Sequence, residues 1–428
     1  MKTRIEAELR AARTRQLALL ETAASADQER QVSPLMSPLC WDVAHVAHYE
    51  ELWLLRKLVA APPTHERFDD VYDAFQHPRA ERPALDLLDA DAAHAYAADV
   101  RKRVLDVLAD IDLERTDPLL DDGFVYGMAI QHEHQHIETM LATLQLMDRP
   151  PVLPVDRPDT ATGARELPEE VLVEGGPGTM GTSSDPWAYD NERPAHAVDL
   201  APFFVDTTPV TNGAYAEFVA AGGYDQPQWW SDDGWAWRQE TGTRHPGFWS
   251  AGEDGRWVRD RFGLREPVPP QEPVQHVCWY EADAFARWRG KRLPTEAEWE
   301  RVATGGDARR FPWGAAEPGP DDAVLATTPE RFGPAPVGTH PAGAGQSGAH
   351  DLIGGVWEWT SSDFAGYPEF AAFPYREYSE VFFDGRYKVL RGGSWATHPS
   401  AARATFRNWD LPIRRQIFAG FRCARDGS

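Results

Sequence analysis

The stretch Gln131-His132-Glu133-His134-Gln135-His136-Ile137-Glu138-Thr139-Met140 decides how the first third of the chain is read. It lies in a run from about Asp122 to Met147 with no proline and, after Gly127, no glycine. Such a run predicts a helix. Four residues advance a helix by roughly 40° past a full turn, so His132 and His136 share a face. Met128, Met140 and Leu144 extend that face and are apolar. Two imidazoles therefore point into a hydrophobic interior, and His134 points roughly away. One histidine on an apolar face is usually a core residue with a satisfied hydrogen bond. Two at this spacing are half of a transition-metal site.

The same letters also fit H-E-x-x-H, which in zinc hydrolases makes the glutamate a general base. Glu133 is then the expected base, and this reading stands as a rival. It leaves the second half of the chain unexplained.

Working outward, residues 3–23 are rich in Ala, Leu, Arg and Glu and predict a first helix. After the turns at Ser33-Pro34 and Ser37-Pro38, residues 41–56 predict a second. Trp41, His45, His48, Leu52 and Leu55 are spaced 4, 3, 4, 3 along it, which makes one inward seam. Either His45 or His48 is placed to join His132 and His136. A third helix is expected at 91–111. Four helices with ligands on facing inner sides make a bundle built around a metal. Between helices two and three, Arg79 and Arg82 lie on a proline-bounded loop. Guanidinium groups grip a carboxylate with two prongs, and loop arginines are also often simply solvated.

Residues 148–167 turn irregular, with Pro150, Pro151, Pro154 and Pro158. Beyond them the composition changes. Of 34 glycines, all but Gly123 and Gly127 lie after residue 160; of 17 tryptophans, all but Trp41 and Trp53 do. Short β-like runs alternate with Gly/Pro turns, and helices are expected at Tyr280–Arg289 and, after the cap Thr295, at Glu296–Ala303. The boundaries expected are 1–150 for the bundle, 151–167 for a linker and 168–428 for a loop-rich α+β domain.

The formal net charge of −24 argues against nucleic acid or an anionic membrane as partner. Cys40, Cys278 and Cys423 are the only cysteines, without a CxxC, and there is no signal-like segment. A reducing, cytoplasmic setting is expected.

The second half contains Gly175-Gly176-Pro177-Gly178-Thr179-Met180-Gly181, Arg292-Leu293-Pro294-Thr295-Glu296-Ala297-Glu298-Trp299-Glu300, Phe311-Pro312-Trp313-Gly314, Gly355-Val356-Trp357-Glu358-Trp359-Thr360, Arg391-Gly392-Gly393-Ser394-Trp395 and Gly420-Phe421-Arg422-Cys423-Ala424-Arg425. Together these closely resemble the formylglycine-generating-enzyme (sulfatase-modifying factor) fold, a C-type-lectin-like scaffold, over about 171–426. The first half resembles a DinB-like four-helix bundle. The fusion, an α + (α+β) two-domain protein, resembles the ergothioneine-pathway sulfoxide synthases, non-haem iron enzymes that join a thiol to hercynine using O2. Formylglycine-generating enzymes work through a cysteine pair. Cys423 stands at one of those positions, but no other cysteine follows Cys278, so their copper–thiol chemistry is not expected and Cys423 is read as a buried relic.

The resemblance implies Fe(2+) held by His45, His132 and His136, with open positions for a thiolate and O2. It implies that Arg79, Arg82, Asp410 and Arg414 hold gamma-glutamylcysteine, and that Gln135, Asn408 and Trp409 meet hercynine, whose quaternary ammonium suits an aromatic face. It makes Tyr375 the acid that supplies a proton during oxygen activation, with Tyr378 in support. His48 has no role in it. Related enzymes of this architecture take free cysteine or a selenium donor, which leaves the thiol open. A monomer or weak homo-oligomer is expected. A lectin-like binding module without chemistry is the remaining rival, and the histidine cluster speaks against it.

Overall fold

The computed structural model describes residues 1–153, 167–307, 309–326 and 332–427. The chain divides into two compact units, Met1–Leu153 and Pro154–Ser428. Most of the expected linker lies outside the described residues.

The first unit is built on four long helices: α1 (Lys2–Leu20), α2 (Leu39–Glu50), α3 (Ala90–Asp110) and α4 (Phe124–Gln145). Asp89 caps α3, its carboxylate accepting from the Ala92 amide. Every residue from Phe124 to His134 is buried, so α4 is the central helix and its polar residues must find partners inside. Glu133 does so in a four-residue cluster. Arg13 of α1 donates Nε to Glu133 Oε1 at 2.9 Å, and its Nη2 lies 3.2 Å from Glu50 Oε2. Arg101 of α3 pairs with Glu50 at 2.5 Å and with Glu133. Two guanidinium groups and two carboxylates thus cancel in charge while tying all four helices together.

The expected inward seam of α2 changes phase after Glu50. Residues Glu51–Lys57 continue as a π-helix, whose wider turn moves Leu54 into the core and leaves Leu52 half-buried.

The second unit is loop-rich. One sheet orders its strands 408–410, 388–391, 357–363, 419–420, antiparallel except for the last pair. Another sheet brings Ala424–Asp426 and Glu170–Val173 to either side of Phe203–Asp206. Helices Trp279–Trp288 and Glu296–Thr304 fall where expected, the latter with a Thr295/Glu298 capping box. Helices Asn212–Ala220 and Asp232–Thr241 were not foreseen.

The sequence phrases of this unit are its internal struts. Arg391 pairs with Glu296 at 2.6 Å and Glu300 at 2.5 Å; Arg407 pairs with Glu296 at 2.7 Å; Arg422 pairs with Glu358 at 2.6 Å. Trp299 Nε1 donates to the same Glu358 at 3.0 Å. Arg391, Arg407 and Arg422 are all buried. Gly392 sits at φ +92°, where a Cβ would stand 2.6 Å from the Leu352 carbonyl, so the turn after Arg391 requires glycine. Among the described residues no helix is long and apolar enough to cross a membrane.

Candidate active site

His45 from α2 and His132 and His136 from α4 form one cluster, their ligating atoms all within 4.8 Å of one another. The Nε2 atoms of His45 and His132 are 3.1 Å apart. Metal–nitrogen bonds of about 2.1 Å place neighbouring ligand nitrogens about 3.0–3.4 Å apart, so this spacing suits two ligands of one cation.

For His45 and His136 the surroundings fix which ring nitrogen is free. His45 Nδ1 is 2.7 Å from the Tyr72 carbonyl. A carbonyl only accepts, so Nδ1 carries the hydrogen and Nε2 presents a lone pair. His136 Nδ1 is 3.1 Å from Asp42 Oδ1, which sets the same tautomer. His132 lies flat on Tyr49, ring centroids 3.8 Å apart. Its Nδ1 has no hydrogen-bond partner among the described residues. Burial, then the neighbouring histidines, holds His45 well below the usual imidazole pKa; burial, then His136, does the same for His132. Buried, neutral imidazoles with converging lone pairs are what a transition metal binds.

The choice left open between His45 and His48 is resolved by their partners. His48 Nε2 is 2.9 Å from Asp69 Oδ1, and Arg56 binds the same carboxylate at 2.5 Å. His48 is thus turned away from the cluster. Glu133 is not placed as a base. Both of its carboxylate oxygens are taken up by Arg13 and Arg101; burial alone would raise its pKa, but the two guanidinium groups hold it below the ordinary value. The zinc-hydrolase reading is corrected on this ground.

Arg82 is buried, with its guanidinium 3.6 Å above the Trp41 ring. Trp41 in turn stacks on His45, centroids 4.6 Å apart and planes 10° from parallel. Arg82 donates to Ser37 Oγ at 2.6 Å and to the carbonyls of Ala74 and His77. Among the described residues it has no carboxylate in ion-pair contact. Arg79 is half-buried and donates to the Leu35 carbonyl at 3.1 Å. Gln135 is half-buried, next to His136 on α4.

In the second unit Asn408, Trp409 and Asp410 form the edge strand of their sheet. Arg414 Nε pairs with Asp410 Oδ1 at 3.1 Å. Trp409 stacks on Phe364 at 4.1 Å and is flanked by Phe382 at 5.4 Å and Tyr378 at 5.7 Å. Tyr375 and Tyr378 are half-buried, ring centroids 6.2 Å apart. Cys423 and Cys278 are buried and unpaired, and burial drives both thiols far up, away from the reactive thiolate.

Comparison with known proteins defines the class first. Residues 8–140 match the DinB superfamily and residues 156–427 the sulfatase-modifying factor enzyme 1-like domain. The chain is similar to the hercynine oxygenase of Mycolicibacterium smegmatis, 48% identical over 98% of both chains. It is 46% identical to that of Mycobacterium tuberculosis over 92% of both. The second unit is also similar to the formylglycine-generating enzyme of Streptomyces coelicolor, at 33% identity over 63% of this chain and 93% of that one. The chain therefore belongs to the hercynine oxygenase family, and it is an oxygenase.

Proposed function

We propose that the protein joins gamma-glutamylcysteine to hercynine with ferrous iron and O2, giving gamma-glutamyl-hercynylcysteine sulfoxide, a step of ergothioneine biosynthesis in the cytoplasm. The observation that carries this reading is the cluster of three converging histidines in a chain whose full-length relatives are hercynine oxygenases. The reaction balances: one C–H and one S–H bond are lost, one C–S bond forms, and O2 supplies one oxygen to sulfur and one to water. His45, His132 and His136 would hold the ferrous iron, which when bound would supply the redox chemistry that activates O2.

Arg79, Arg82, Asp410 and Arg414 anchor the thiol substrate. Its carboxylates answer the guanidinium groups and its ammonium answers Asp410. Arg82 supports this role because it is a buried cation with no carboxylate in contact among the described residues. Trp409, with Phe382 and Tyr378 beside it, offers ring faces to the trimethylammonium of hercynine. Asn408 and Gln135 meet its carboxylate and imidazole. Tyr375 is the acid that donates a proton as O2 is reduced, with Tyr378 in support. The proton favours coupling of sulfur to the imidazole carbon over oxygenation of the thiol alone. General-acid help of this kind is worth about 10²–10⁴-fold.

The test is mass analysis of products from hercynine with gamma-glutamylcysteine, or with cysteine, in air with Fe(II). Sulfoxide from gamma-glutamylcysteine is expected. A strong preference for cysteine moves the protein to the other thiol branch, and no O2-dependent product with either thiol overturns the proposal. Tyr375→Phe should retain iron and shift product toward gamma-glutamylcysteine sulfinate.

A further inference from the structure

The segment Tyr189-Asp190-Asn191 holds the loop that carries both tyrosines. Asp190 is buried and accepts from both ends of that loop: the Ser379 hydroxyl reaches Oδ1 at 2.5 Å and the Phe373 amide reaches Oδ2 at 3.2 Å. Asn191 Nδ2 donates to the same Ser379 hydroxyl at 3.0 Å. Tyr189 stacks on Tyr378, centroids 4.3 Å apart and planes 20° from parallel. Three consecutive residues thus grip a loop about 180 positions later, with Tyr375 and Tyr378 between the gripped ends.

The grip is itself anchored. Arg407 donates to the Asn191 carbonyl at 2.7 Å, and Arg403 pairs with Glu192 and donates to the Trp187 carbonyl at 3.1 Å. Arg407 directly precedes Asn408, Trp409 and Asp410 in the chain. The same buried arginine therefore fixes the base of the grip and the start of the edge strand. Burial keeps the Asp190 carboxyl at about 6 in spite of its donors. A carboxyl paid for in desolvation this way is justified only by what it holds.

We propose that Asp190, with Ser379 and Asn191, is a positioning clasp that sets where the Tyr375 phenol stands and thereby which product forms. The proposal rests on the role given to Tyr375 above. Displacing a donor by even an ångström can cost on the order of 100-fold in its contribution, and a seven-residue loop freed at both ends loses that placement.

Two measurements test it. The first, hydrogen–deuterium exchange of the metal-free full chain, is independent of turnover. In Asp190→Ala, amides of 373–379 should exchange about tenfold faster than in the parent, with residues 1–153 unchanged. The second is product partition. Asp190→Ala should shift product from sulfoxide toward sulfinate with iron content retained and KM for both substrates nearly unchanged. In a Tyr375→Phe background the same substitution should shift it no further. Ser379→Ala repeats both measurements should Asp190→Ala fail to fold. Unchanged exchange overturns the clasp. So does a partition shift of equal size with and without the Tyr375 phenol, since the effect then bypasses it. If the parent makes no sulfoxide, the functional reading fails, and the exchange result alone decides whether the clasp exists.

Discussion

Replacing Glu133 with Gln separates the two meanings of the H-E-x-x-H letters. Glu133 is 1% exposed and sits between Arg13 and Arg101, with Glu50 completing a cluster of two positive and two negative charges. Glu133→Gln leaves two buried guanidinium groups facing one carboxylate. Removing one partner of a buried pair costs about 3–5 kcal/mol. For a unit of this size that is a fall in melting temperature of about 6–20 °C, at ~2–4 °C per kcal/mol. Arg101→Met combined with Glu133→Leu restores the balance, leaving Arg13 with Glu50, and should recover most of the loss. The assay is thermal unfolding of the metal-free chain, paired with iron content and turnover below the transition. Glu133→Gln should keep its three histidine ligands and, while folded, its activity. An unshifted melting temperature together with abolished turnover would refute the reasoning and return Glu133 to the chemistry.

Asp42→Leu leaves all three ligands in place but removes the group that fixes the His136 tautomer. Iron affinity in chelator competition should fall about 10–100-fold, whereas His136→Ala should lose iron outright with the second unit's fold retained. Arg82→Ala should raise the KM for gamma-glutamylcysteine by an amount equivalent to about 2–5 kcal/mol and that for hercynine little; equal effects count against the assignment. His276 is buried with its pKa lowered to about 3, chiefly by burial. Its folded pKa lies below the unfolded value of about 6.5, so its contribution is complete above that pH and is lost as pH falls toward 3. Unfolding free energy should drop by about 1.4 kcal/mol per pH unit across that window. His276→Asn, which tolerates the positive φ of this position, should flatten the slope in denaturant titrations.

Local periodicity was enough to place α4, to set His132 and His136 on one face, and to separate a helical first part from a Gly- and Trp-rich second. These follow from side-chain spacing and composition, which need no distant partner. The role of each polar residue was decided by tertiary structure. His45 and His48 share a helical seam, and only the Tyr72 carbonyl and the Asp69 carboxylate, both from beyond α2, assign one to the cluster and turn the other away. Glu133 is the same letter in a hydrolase helix and in a salt-bridge cluster; Arg13, 120 positions away, makes it the latter. The aromatic richness of the second half was legible, but not that Asp190 would close over Ser379 across 189 positions. A buried charge takes its meaning from whatever the fold brings within about 3 Å of it, and contacts at such separation in the chain leave no periodic trace in the sequence.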